Sequence, residues 1–311
     1  MASIEQRKLV KLGKSTLVVS LPAEWIKRKK LKAGDTLTLY IGENEIIIAP
    51  SGETTSSKLT VKLRVKSAEN NIVYRTIVSA YINGATEISV EVEDVSLLKE
   101  AIKQAKEATS RLIGLEIVDQ SLDRIVLQTF TDIRSHDVPS LVNRSLKFLI
   151  SMIKHLGENQ IDIKFLEDIE NEIDKLSRLG MRMLITNPDL SKQQSIHLSK
   201  LFTSLENASD SVIPLARVIE GKSRLVMDVL NSLVEILEFV REMKLGQTSL
   251  KDINDRIELI EHIEASIVER EIDETLKYRI LHVVNHVKNL LLSLYDANAS
   301  ILIYTKEELV F

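Results

Sequence analysis

Hydrophobic and polar positions change their period twice along this chain. Between residues 6 and 50 the apolar side chains come in short runs: Leu9-Val10, Leu17-Val18-Val19, Thr36 to Ile41 and Glu45 to Ala49. Gly13-Lys14-Ser15-Thr16 and Gly42-Glu43-Asn44 separate them in pairs, which predicts two β-hairpins. Pro22 stands between the hairpins and suits the first turn of a short helix, where its missing N–H costs nothing. Residues 51–57 read as a polar linker.

From 58 to 130 the pattern alternates. Leu59-Val61-Leu63-Val65 has period two and predicts a strand, Ile72 to Ile82 a helix, Glu87 to Val92 a strand and Ser96 to Leu112 a helix. Leu115 to Val118 and Ile125 to Phe130 close the unit as a pair, giving a βαββ-type α+β layer structure. From Val138 to Tyr304 the apolar spacing is helical almost throughout. Breaks fall at Gly157, Asn187-Pro188, Gly221, Gly246 and Glu271-Ile272-Asp273, with Ser191 and Thr248 as capping residues. Six long helices result. They read as two copies of three, because Leu166, Asp168, Ile169 and Ile173 recur as Leu250, Asp252, Ile253 and Ile257, offset by 84 residues.

The fold class that follows is multidomain: a small β head (1–50), a linker (51–57), an α+β unit (58–132), and two three-helix bundles (136–220 and 222–305). A head of about 45 residues with so few apolar side chains lies near the lower limit for folding alone, so a dimer with interleaved strands is the simplest remedy.

Charge changes the picture at one place. The chain carries a net charge of −4, but residues 1–32 hold nine Lys/Arg against two Glu, a balance of +7, which leaves −11 for the rest. A basic head on an acidic body points to an anionic partner for the head, with duplex DNA first. The candidate contacts are Arg7, Lys8, Lys11 and Lys14 on and beside the first hairpin, with Lys27 and Arg28 after the short helix. Trp25, the single Trp, is read as core of the dimer. The absence of cysteine excludes disulfides and thiolate chemistry. No apolar run is long enough for a membrane span, and no signal-peptide core opens the chain, so a cytoplasmic protein is expected. No nucleophile, phosphate-loop or zinc-hydrolase motif appears, so no catalytic residues are assigned and an enzyme is not expected.

Two pairs of carboxylates carry the remaining chemistry. Glu170 and Asp174 share one helix face, and Glu206 and Asp210 repeat the spacing on the next helix. Like charges at i,i+4 repel, and a cation between them removes the repulsion; Mg, Mn or Fe suits carboxylate ligands. In the second copy the corresponding positions are Asn254, Glu258, Asn285 and Asn289, so one carboxylate of four remains. Glu258 with His262, and His282 with His286, are further pairs at i,i+4 spacing that could chelate a metal.

The run Arg7-Lys8-Leu9-Val10-Lys11-Leu12-Gly13-Lys14-Ser15-Thr16-Leu17-Val18-Val19-Ser20-Leu21-Pro22, continuing through Trp25 and Lys27-Arg28-Lys29-Lys30 to Gly34-Asp35, resembles the AbrB/SpoVT/MazE swapped-hairpin domains. That resemblance implies a homodimer whose first hairpin faces DNA. A MazE-like antitoxin module is the opposing reading of the head, and the long, foldable body argues against it. Six helices in two pseudo-repeats, with Glu170/Asp174 and Glu206/Asp210 as paired acidic motifs, resemble the phosphate-uptake regulator PhoU. This implies a bound metal, often iron or zinc, at those four residues. The fusion resembles archaeal PhoU-type regulators. It implies a transcriptional regulator of phosphate uptake, with phosphate transporter components as further partners. The alternative is an adaptor that docks on a transporter or kinase and uses the head only to dimerise.

Overall fold

The computed structural model describes residues 5–41, 46–51, 59–130, 137–187, 190–219 and 223–304. It divides into two compact units, Met1–Ser57 and Lys58–Phe311. In the first, β1 (Val10–Leu12) pairs antiparallel with β2 (Thr16–Val18), with Lys11 opposite Leu17. The turn between them uses Gly13 at φ +71°, a left-handed conformation that glycine adopts without strain. Helix α1 (Ala23–Lys29) follows directly on Pro22 and ends on Lys30 in the left-handed region, whose N–H reaches back to the last turn. β3 (Leu37–Ile41) and β4 (Ile46–Pro50) form the second hairpin. Its proposed turn at Gly42-Glu43-Asn44 lies outside the described residues, as do most of the linker and the breaks at Pro188 and Gly221.

The second unit begins with a four-stranded sheet: β5 (Thr60–Val65), β6 (Glu87–Val92), β7 (Leu115–Gln120) and β8 (Arg124–Thr129), in the order β5-β6-β8-β7. β5 and β6 are parallel and joined through α2 (Ile72–Ile82); α3 (Val95–Arg111) follows β6. The connectivity is therefore βαβαββ, the same strands and two helices, in the same order, that the sequence places between 58 and 130; the short label βαββ leaves out the second helix. Val65, Ile88, Val90, Ile125 and Leu127 line the face that packs on the helices, while Lys62, Arg64 and Arg124 point the other way, as a period of two requires. Gln104, buried on α3, holds the start of α2. Its carbonyl accepts the N–H groups of Val73 at 3.0 Å and Tyr74 at 3.2 Å, and its amide donates to Ala68 O at 2.6 Å. These two N–H groups belong to the orphan donors of a helix N-terminus, and α2 has no side-chain cap of its own.

The six long helices are α4 (Val138–Leu156), α5 (Ile163–Thr186), α6 (Lys192–Ala216), α7 (Arg224–Glu242), α8 (Leu250–Val268) and α9 (Glu274–Tyr304). Ser191 caps α6 in a reciprocal box with Gln194. At α8 the cap position is Ser249, not Thr248, whose hydroxyl instead donates to Lys244 O at 3.1 Å. The repeated residues Leu166/Leu250, Ile169/Ile253 and Ile173/Ile257 are buried in both copies. The two copies do not keep separate interiors: α4 through α9 share one continuous apolar core. Lys154 on α4 meets Glu238 on α7 at 3.0 Å, and these residues are themselves 84 apart, so the copies touch at equivalent positions. α6 and α9 run antiparallel, as the pairs Lys200–Asp296 and Ser204–Ser293, each 2.8 Å, require.

The α+β layer is keyed to this core by Arg182. Arg182 is 3% exposed; its guanidinium donates through Nη1 to Tyr81 O and lies over the Tyr81 ring at 4.7 Å. Burial pushes the Tyr81 phenol up to about 12, so it stays a donor, to Ile113 O at 2.8 Å.

Gly180 marks the closest approach inside the bundle. A Cβ there would stand 2.2 Å from the Phe202 ring, which is fully buried. Alanine is the better helix former by about 1 kcal/mol. Gly180→Ala should nevertheless lower unfolding free energy by about 1–3 kcal/mol through overpacking, read by chemical denaturation, and Gly180→Ala with Phe202→Leu should recover part of the loss.

Candidate functional sites: a basic head and an acid cluster between helices

In the head, Lys8, Lys11, Lys14, Lys27 and Arg28 are exposed, and Arg7 pairs with Glu5. Lys11 is the middle residue of β1 and Lys14 sits in its turn, so the hairpin carries both on a two-stranded ribbon. None of the residues of this unit whose burial is described is buried. Leu9, Val10, Leu12, Leu17, Leu39, Ile41 and Ile46 are all exposed, Ile41 to 79%. Trp25 and Ile26, both on α1, are half-buried. Covering seven such side chains at about 1–2 kcal/mol each would supply on the order of 10 kcal/mol, which a single copy of the head leaves unused.

In the body, α5 and α6 bring the four predicted carboxylates together. Glu170 shares a hydrogen bond with Asp210, and Asp174 lies within electrostatic reach of Glu206 and Asp210. Burial, followed by the hydrogen bond and charge of Asp210, pushes Glu170 up to about 7. Burial and then the Asp174 charge push Glu206 up to about 7. Asp174 is also raised, chiefly by burial, against the opposing pull of Arg178.

Two arginines that the acidic spacing did not reveal supply the countercharge. Arg178 Nη2 binds Asp174 at 2.8 Å, with both side chains 15% exposed. Arg111, the last residue of α3, acts on Glu170 and Asp174 from the α+β layer. Arg178 was readable as the i+4 partner of Asp174; Arg111 lies 59 and 63 residues away, and no local pattern points to it.

Among the described residues no three His, Asp or Glu side chains converge where a metal ion could sit. The residues implied for iron, zinc, magnesium or manganese are gathered, but as placed they do not fit a metal. Arg178 pairs with Asp174, and burial with neighbouring carboxylate charge raises Glu170 and Glu206 to about 7, so each is only partly ionised at neutral pH. Of the histidine pairs, His262 Nδ1 bonds Glu258 O at 2.8 Å, and the Glu258 carboxylate takes Asn254 instead. His282 and His286 do meet, Nε2 to Nε2, at 3.1 Å.

The cleft between α4 and α7, about 430 Å³, is lined by Lys147, Ser151, Lys154, His155 and Arg241, but its charges are largely satisfied internally. Glu238 takes Lys154 at 3.0 Å and Arg241 at 2.7 Å, bonds that hold its carboxyl below the usual range. His155 accepts the Asp162 N–H at 2.8 Å and faces Glu158 at 3.0 Å, so both ring nitrogens are engaged.

The family model described as "Antidote-toxin recognition MazE, bacterial antitoxin" matches residues 10–56. The N-terminal unit is thus a MazE/AbrB-like domain, of a kind that commonly dimerises and binds DNA. No curated protein and no solved structure matches the chain. Among the described residues no helix is long and apolar enough to cross a membrane.

The acid cluster has a stability consequence of fixed sign. A carboxyl whose folded value lies above its unfolded value binds an extra proton when folded. Its contribution is present below about pH 4.5 and lost as pH rises through about 7. In chelator-treated buffer the body should therefore become less stable between pH 5 and 8. Glu206→Gln should flatten that fall and raise stability at pH 8 by about 1–2 kcal/mol, a figure reduced for partial solvent exposure. Thermal melts across that range read both effects, and an unchanged slope in the variant would refute them.

Proposed function

We propose that this chain is a homodimeric, DNA-binding transcriptional regulator whose PhoU-like helical body passes phosphate status to its AbrB-like head. The observation that carries the DNA-binding part is the head itself. It is a MazE/AbrB-like unit with exposed cations on a β-ribbon and an apolar surface that one copy cannot bury. Two heads joined through that surface place eight cations, from Arg7, Lys8, Lys11 and Lys14, on one assembly. Lysine and arginine at this density serve phosphate contacts, and arginine also suits guanine edges.

The phosphate part rests on the body's resemblance: six helices in two copies, with acidic pairs on α5 and α6 of the first. An input at the body, from a docked partner or ligand, changes the spacing of the paired heads and so the affinity for an operator. No chemistry on a substrate is assigned, and a cytoplasmic location fits a DNA-binding role. Transporter components are the protein partners this reading favours. The adaptor alternative keeps the body's role and removes the DNA.

Fluorescence anisotropy on duplex fragments separates the two. If half of the eight cations meet phosphates, the log–log slope of affinity against salt is about −3 to −4. Lys11→Ala with Lys14→Ala should flatten that slope and leave the dimer intact. Arg7→Ala should cost more at a preferred site than on random sequence if Arg7 reads a guanine. No binding at about 50 mM salt would refute the regulator. Footprints that avoid phosphate-transport genes would remove the phosphate part alone.

A further inference from the structure

α4 turns Lys147, Ser151 and Lys154 to one side, at i, i+4 and i+7, toward the cleft of about 430 Å³ that it forms with α7. Arg241 lines the cleft from α7. Three cations thus stand against two carboxylates, Glu158 and Glu238, in a chain whose net charge is −4. The bonds to Glu238 leave donors over. Lys154 Nζ has three and gives one to Glu238, and Arg241 has five and gives Nε. Arg241 Nη2 stands 3.6 Å from Glu242, beyond hydrogen-bond distance. Lys147 is exposed, and neither its ammonium nor the Ser151 hydroxyl has a protein partner among the described residues. The cleft also has an apolar part, made by Ile150 and by Phe165, which is 40% exposed. His155 packs on the Phe165 ring at 4.7 Å, and the Asp162 carboxylate accepts the Phe165 N–H at 3.2 Å, so that ring has a fixed place.

We propose that this cleft binds a nucleotide, with the base on the Phe165 ring and the phosphates on Lys147, Ser151, Lys154 and Arg241. Small-molecule sites run from about 300 to 1,000 Å³, so the cleft has the size for a nucleotide and far more room than an inorganic phosphate fills. Every base has a π-face, so a single aromatic ring serves any of them. Lysine and arginine donors suit phosphate oxygens, and charge strengthens those bonds. Glu238 sets the affinity. Its carboxylate holds two of the cations in place and repels the incoming phosphate, so binding is weak and readily reversed. A bound nucleotide bridges α4 of the first copy and α7 of the second, where equivalent positions of the repeat already meet. The site stands whether or not the head binds DNA; only its use as the body's input rests on the proposed regulator.

The test is calorimetry of the full chain with ADP, pyrophosphate and adenosine, without DNA and in chelator-treated buffer, together with isoleucine methyl NMR. ADP should bind once per chain, more tightly than either fragment, and should move the Ile150 methyl signals. Lys147→Ala should weaken ADP and pyrophosphate about 2- to 5-fold. Glu238→Gln keeps one acceptor for the two cations but removes the charge, and should tighten both ligands by about the same factor. Phe165→Leu should weaken ADP and adenosine about 5-fold or more and leave pyrophosphate unchanged. Lys200→Ala, which removes a cation paired with Asp296 outside the cleft, should change nothing. Unmoved Ile150 signals at millimolar ADP would overturn the proposal on the unaltered chain, whatever the variants do. Pyrophosphate that binds as tightly as ADP, or ADP binding that ignores both Phe165→Leu and Glu238→Gln, would overturn it equally. ADP binding by a chain that fails to bind DNA would remove the regulator and support the site.

Discussion

Apolar side chains that have no interior to enter set the terms for the whole head. Two-stranded ribbons in water are marginal, and those of residues 5–51 expose the leucines, valines and isoleucines that should stabilise them. The N-terminal hairpin has three residues per strand, all exposed. A second copy offering the same surface satisfies both at once, because a two-fold interface is self-complementary. In the proposed dimer the same pairing doubles the cations presented to an anionic surface, so dimerisation and DNA affinity would rest on one interface.

The body solves the opposite problem, with ample apolar surface and a few charges to place among it. Equivalent helices of the two copies meet, α4 with α7 and α6 with α9, and one core runs through all six. The acidic pairs of α5 and α6 fall beside that core. Removing a carboxylate from water is costly unless it is protonated or paired. Burial raises Glu170 and Glu206 to about 7, toward the first course, and Asp174 takes the second, through Arg178. Arg111 reaches the same cluster from the end of α3, and Arg182 fixes α2 to α5. A change of charge in the cluster is therefore felt in the α+β layer, the part of the second unit that directly follows the linker.

Much of this was readable in the residues. The bounds of α2 and β6 and the starts of α4 and α9 follow from periodicity and from Asp, Ser, Gly and Pro at the breaks, which are local signals. The carboxylates of α5 and α6 lie within reach of one another because each pair shares a helix face and the two helices are neighbours. What was not readable came from distance in the chain. Gln104 caps α2 from 31 residues away, Arg111 acts on acids of α5 from beyond two strands and α4, and the charge of Asp210 acts on His286 because α6 and α9 pack antiparallel. Like charges at i,i+4 call for a cation, and sequence spacing does not say whether that cation is a metal, an arginine or a proton.

The most direct measurement is the association state of the full chain with its apolar head surface intact and altered. Sedimentation equilibrium should find a dimer at micromolar concentration. Leu12→Lys with Ile41→Lys should give a monomer whose head amides exchange freely while the helical body stays protected. A wild-type monomer with both hairpins protected from exchange would contradict the account at its base, because the head would then hold itself together without the partner surface that its exposed side chains require.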